Sequence, residues 1–115
     1  MEQKANTNRR TNDIQRLNDD LRCRGRGGKI VMTNGIAALA VDEVDKIFEA
    51  VQSFDAFTAD NDPFGEHDCA VLSVGSRRII WKIDYYDRSR RHGSSDPADG
   101  KETSRLMTVM LAEEY

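Results

Sequence analysis

Two alternating apolar segments joined by a Gly75-Ser76 turn constrain this chain more than any other feature of its 115 residues. A two-residue turn led by glycine suits the twist of paired strands, so residues 67–74 and 77–86 read as a β-hairpin. Side chains alternate between faces with a period of two, so the turn sets which residues oppose each other. Val74 then lies opposite Arg77, Leu72 opposite Ile79, Ala70 opposite Trp81 and Asp68 opposite Ile83. Ala70, Leu72, Val74, Ile79, Trp81, Ile83 and Tyr85 share one apolar face fit to receive helices. The other face carries His67 opposite Asp84, Cys69 opposite Lys82 and Val71 opposite Ile80, with Tyr86 further along.

Helices to cover the apolar face are legible upstream. Asn12 suits an N-cap, Asp13 favours the positive helix end, and Ile14, Leu17 and Leu21 make an apolar stripe. Gly25, Gly27 and Gly28 stop that helix. The Arg-Gly-Arg-Gly-Gly stretch lacks the Gly-Lys-Ser/Thr ending of a nucleotide loop and precedes a strand-like segment, so it reads as a linker. Residues 29–33 form that strand, Asn34-Gly35 signals a hairpin turn, and residues 36–39 return briefly. A second helix spans residues 41–54, with Val44, Ile47, Phe48, Val51 and Phe54 on one face and Phe57 anchoring its end. Residues 58–65 form an ordered loop dense in turn formers, and residues 87–101 a long polar one. Alternation of Met107, Val109 and Leu111 predicts a last strand over residues 106–111. The expected fold is α+β: a small, mostly antiparallel sheet of three to four strands with two helices packed on one face. Residues 1–12 are expected to form a flexible polar arm and residues 13–115 a single domain.

Composition narrows the class. Hydrophobic residues make up 38% and charged residues 32%, polar for a globular chain yet short of the disordered class. The longest apolar run, residues 35–41, is too short to span a bilayer, and the N-terminal residues lack a signal peptide's apolar stretch. Cytoplasmic residence and no membrane partner are expected. Cys23 and Cys69 form no Cys-x-x-Cys pair and read as buried or inert thiols. The net charge of −3 conceals blocks: +4 over residues 1–29, −8 over residues 30–70 and +1 over residues 71–115. Block asymmetry of this kind marks a partner surface or, more blandly, an exposed tail beside an acidic helix face.

Two kinds of site compete. If His67 acts as a general base or metal ligand, Glu66, Asp68 and Asp84 and the loop acids Asp60 and Asp62 supply carboxylates, with Asp62, Glu66, His67 and Asp84 as the metal-ligand set. The competing reading gives His67 a structural hydrogen bond across the hairpin to Asp84. No multi-histidine site is available with only His67 and His92, and no Gly-x-Ser-x-Gly elbow occurs. The partner-binding candidates are the acids Asp42, Glu43, Asp45 and Glu49 of the second helix, Asp60 and Asp62, and the group Tyr86, Arg88, Arg90 and Arg91. Tyr86 is placed for stacking, whereas Trp81 and Tyr85 belong to the core face. No cofactor is called for.

The stretches Asn61-Asp62-Pro63-Phe64-Gly65-Glu66-His67-Asp68 and Trp81-Lys82-Ile83-Asp84-Tyr85-Tyr86-Asp87 and the ending Leu111-Ala112-Glu113-Glu114-Tyr115 resemble the bacterial domain-of-unknown-function family 3768. The likeness runs from about Ile14 to Tyr115. It implies a short bacterial protein, often encoded near plasmid, phage or other mobile-element genes, and brings no catalytic residues with it. Two functions are therefore carried forward. One is an interaction module with a protein partner, an inhibitor or modulator of a host nucleic-acid or defence enzyme acting through its acidic surface. The other is a metal-assisted hydrolase or nuclease-like enzyme built on His67. A weaker third is nucleic-acid binding by the basic arm and Arg88 to Arg91, which requires both stretches to share a face.

Overall fold

The last strand of the chain lies inside the sheet, not at its edge. A computed structural model describes residues 2–115, with side-chain surroundings from residue 8 onward. The elements are α1 (Glu2–Arg24), β1 (Gly28–Met32), α2 (Asn34–Ala37), α3 (Val41–Ser53), β2 (Cys69–Val74), β3 (Arg77–Tyr86), β4 (Ser104–Leu111) and a closing 3-10 turn, Ala112–Glu114. The four strands run in the order β1-β4-β3-β2. β4 is antiparallel to β3, β3 antiparallel to β2, and β1 joins β4 in parallel. The class is α+β, and the hairpin register is the one the turn dictates, with Ala70 beside Trp81 and Val74 beside Arg77.

The expected apolar face is the core face. Trp81, Ile79 and Val109 are fully buried on it, joined by Leu21 of α1, Ile36 of α2, and Ile47 and Val51 of α3. Three helices, one more than expected, thus contribute to the core. Phe54 and Phe57 meet edge to face at 5.0 Å and each turns an edge to Trp81 at 6.2 Å, which fastens the end of α3 to β3. On the opposite face Val31 and Val71 remain exposed. Among the described residues, no helix is long and apolar enough to cross a membrane.

Three local expectations give way. First, α1 already runs from Glu2, so Asn12 is an exposed interior position of the helix and not its cap. Second, Cys23 and Cys69 are both exposed, although Cys69 is no activated thiol: partial desolvation and the carboxylates of Asp68 and Asp62 push it up. Third, Asn34-Gly35 starts the single-turn helix α2 instead of turning a hairpin, and residues 36–39 do not return as a strand. The reason lies at the other end of the chain. The Glu114 carboxylate accepts from the Thr33 hydroxyl (2.7 Å), the Gly35 amide (3.1 Å) and the Leu111 amide (2.9 Å). A Cβ on Gly35 would stand 2.5 Å from a Glu114 oxygen, so a side chain there would displace the Glu114 carboxylate from these bonds.

These hydrogen bonds hold the Glu114 carboxyl below its usual 4.5, the Thr33 hydroxyl contributing most. A depressed folded-state pKa contributes stability above the unfolded value and loses it as pH falls through the folded one. Glu114→Gln is therefore expected to lower the urea midpoint at neutral pH, with the gap to wild type narrowing as pH drops below 4.5. A constant gap across that range rules out the latch as the source.

Candidate functional site

His67 does not meet Asp84. Strand pairing begins at Cys69, and His67 sits just before it with φ +54°, a left-handed conformation that swings its ring off the sheet. Its Nδ1 lies 2.9 Å from an Asp19 oxygen on α1, and its Nε2 lies 3.6 Å from the buried Asp62 carboxylate. That same carboxylate accepts the His67 amide at 3.1 Å. The imidazole stacks flat on Phe57, centroids 3.7 Å apart. Asp84 pairs with Lys82 instead, 3.0 Å away on the strand face the hairpin register assigns to both. Glu66 accepts the Tyr85 hydroxyl at 2.9 Å, and Asp60 is exposed on its loop. Burial, aided by the charges of Glu66, Asp62 and Asp84, raises the half-buried Asp68 carboxyl. Among the described residues no three His, Cys, Asp or Glu side chains are placed to hold a metal ion. The expected set of Asp62, Glu66, His67 and Asp84 is thus not assembled.

A buried polar network lies beside this cluster. Asn18 is fully buried on α1; its amide donates to the Tyr85 hydroxyl (2.8 Å) and the Glu66 carbonyl (3.0 Å), while its oxygen accepts from Arg105 Nε (2.8 Å). Arg105 also donates to the Pro97 carbonyl and lies over the Tyr85 ring at 5.2 Å. Desolvation lowers the Arg105 pKa and raises that of Tyr85, the ordinary signs for a buried cation and a buried phenol. Arg22, one turn beyond Asn18, donates to the Val51 and Phe54 carbonyls at the end of α3 and reaches Asp19. It also lies over the Phe57 and Trp81 rings. Sequence reading missed Asn18, Asp19, Arg22 and Arg105. The signal was present: Asn18 and Arg22 fall at helical spacing from Ile14, on the stripe that faces the core.

The charged partner-binding candidates separate in space. On α3, Glu43 is tied to Arg77 Nε at 2.8 Å, whereas Asp42, Asp45 and Glu49 are exposed and form no ion pair among the described residues. At the far end of β3, a cleft of about 670 Å³ is lined by Tyr86, Arg88 and Arg90 together with Gly27, Gly28 and Lys29. Arg91 stays outside it, its amide bound to the Asp87 carboxylate at 3.2 Å. The basic segment that joins Arg88 and Arg90 is therefore the glycine-rich linker, whose residues the sequence assigns only to chain connection.

Fold and side-chain arrangement define a small α+β protein whose His67 and buried Asp62 are tied into structure and whose free charges lie on its surface. The family described as protein of unknown function DUF3768 matches residues 32–114, and the chain belongs to it. No curated protein and no solved structure matches the chain.

Three substitutions test this geometry. Asp19→Asn is expected to move the His67 imidazole resonances in NMR spectra and Asp84→Asn to leave them in place; the reverse pattern restores the hairpin pair. Asn18→Ala strands the Arg105 Nε donor and the Glu66 carbonyl, with an expected cost of about 2–4 kcal/mol in urea unfolding. A loss well under 1 kcal/mol contradicts the role given to Asn18.

Proposed function

We propose that this protein is a small regulatory binding module that engages a protein partner through the outward acidic face of α3. The observation that carries the reading is the freedom of Asp42, Asp45 and Glu49. They are exposed, unpaired among the described residues, and spaced i, i+3 and i+7 along α3, which puts them on one side of the helix. Seven residues of helix rise about 10 Å, close to three steps of about 3.4 Å along one DNA strand. Three carboxylates over that rise present a row of negative charge to a basic groove, as a stretch of phosphate backbone does. The partner that fits is a nucleic-acid-handling or defence enzyme with a cationic groove, which this protein inhibits by occupying it. A mobile genetic element in a bacterial host has a use for such an inhibitor.

The side chains that a hydrolase would need support binding over hydrolysis. His67 is flanked by Asp19 and Asp62 and stacked on Phe57, Asp84 is held by Lys82, and Glu66 receives the Tyr85 hydroxyl.

The test compares immobilised wild type with the triple variant Asp42→Asn, Asp45→Asn and Glu49→Gln in capture from a bacterial lysate. Circular dichroism checks that α3 survives the lost helix-end charge, worth about 0.3–1 kcal/mol. Wild type is expected to capture a nucleic-acid-binding enzyme that excess duplex DNA releases, and the triple variant to capture at least about tenfold less, a difference near 1.4 kcal/mol. Equal capture by the variant, or a captured enzyme that DNA does not displace, overturns the reading.

A further inference from the structure

We propose that the cleft where β1 begins and β3 ends is a binding site for a nucleoside polyphosphate. Four cationic residues line it, Lys29, Arg88, Arg90 and Arg105, and no Asp or Glu does. Lys29, Arg88 and Arg90 make no ion pair among the described residues. Arg105 is 97% buried, 3% remaining exposed, and its side chain turns to the core side to meet Asn18 Oδ1, the Pro97 carbonyl and the Tyr85 ring, so the charges beside Tyr86 in the cleft are those of Lys29, Arg88 and Arg90. Like charges gathered around one concave surface repel unless an anion joins them, and a chain of phosphates carries enough charge to do so. Guanidinium groups suit phosphate oxygens better than any other side chain, because their planar fork matches that geometry.

The cleft is built and not incidental. Gly28 forms part of its lining, and a Cβ there would lie 2.5 Å from the Arg105 carbonyl, so only glycine lets β1 lie this close to β4. Gly27 beside it has φ +87°. On the opposite wall Arg90 takes φ +61°, which side-chain-bearing residues rarely adopt. The Asp87 turn holds it there: its carboxylate accepts from the Ser89 hydroxyl (2.7 Å) and the Arg91 amide (3.2 Å), and its carbonyl accepts from the Arg90 amide (3.0 Å). A strained, pinned arginine in a cleft is the pattern expected where geometry serves recognition.

Size and shape select the ligand. A volume of about 670 Å³ falls within the range of small-molecule sites and far exceeds a bare phosphate. It is also too small for more than a short piece of strand. Tyr86, half-buried in the wall, offers an aromatic ring on which a base can stack beside Arg88. The phosphates then lie among Arg88, Arg90 and Lys29, with Ser104 of β4 between the β1 and β3 sides.

The experiment is calorimetric titration of the full chain with ATP, GTP, inorganic phosphate and a single-stranded oligonucleotide. It is repeated on the double variant Arg88→Ala and Arg90→Ala, whose altered residues are exposed and whose folding is checked by circular dichroism. Saturable binding of a nucleoside triphosphate is expected, at least about tenfold stronger than that of inorganic phosphate. The double variant is expected to weaken it by a further factor of about ten or more. In NMR spectra the Gly27, Gly28 and Tyr86 signals move on nucleotide addition. No saturable nucleotide binding overturns the proposal, as does unchanged affinity in the double variant. Tighter binding of the oligonucleotide than of either nucleotide overturns it in favour of a nucleic-acid strand. Because α3 takes no part in this site, neither result bears on the acidic face.

Discussion

Asn18 and Arg22, one turn apart on the buried side of α1, hold this molecule together by hydrogen bonding where apolar contact alone is sparse. The helix supplies few large apolar side chains to the core, chiefly Ile14 and Leu21. Its grip comes from polar groups that reach several neighbouring elements: Tyr85 on β3, Arg105 on β4, the carbonyl of Glu66 before β2 and the last carbonyls of α3. A cation at the C-terminal end of a helix is favoured by the helix dipole, so Arg22 stabilises α3 while it anchors α1. Buried groups of this kind are costly unless partnered; Arg22 Nε alone in this network has no acceptor, and the remaining bonds specify one position for the helix.

The His67 corner follows from that placement. Asp19 belongs to the same turn of α1, and it can meet His67 only because Asn18 and Arg22 set the rotation of the helix. Phe57 then stacks on the imidazole and also lies beneath the Arg22 guanidinium. The result joins the end of α3, the loop through Asp62 and the entry to β2.

How far the fold could be read beforehand depended on distance along the chain. The hairpin register was legible because alternation and a two-residue turn are local, and β4 was legible for the same reason. The acidic face of α3 was legible from helical spacing. Asn34-Gly35 misled because the carboxylate that reshapes it belongs to Glu114, 79 residues away. His67 misled in a similar way: its true partner is 48 residues distant, and a left-handed backbone angle removes it from the strand. Of the basic cleft only the group Tyr86, Arg88 and Arg90 had a local signature; the linker glycines and Lys29 join it only once β1 lies beside β4. Charge blocks, by contrast, became spatial. The Glu43–Arg77 pair marks one end of β3 and the Tyr86 cleft the other, and a ten-residue strand separates them by roughly 30 Å.

The interior position of β4 bears on how the protein is made. Ribosomes add about 5–20 residues per second, so β1 precedes the completed bridging strand by about 4–16 s and β3 by about 1–5 s. Until then β1 has no partner, and the β2–β3 hairpin presents a bare edge and the Trp81 face to the cell. The β1–β4 pairing joins the two most distant strands of the chain, and such contacts form late because the loop they close is long. Newborn chains of this protein therefore pass through an interval in which exposed strand edges invite chaperones, or one another.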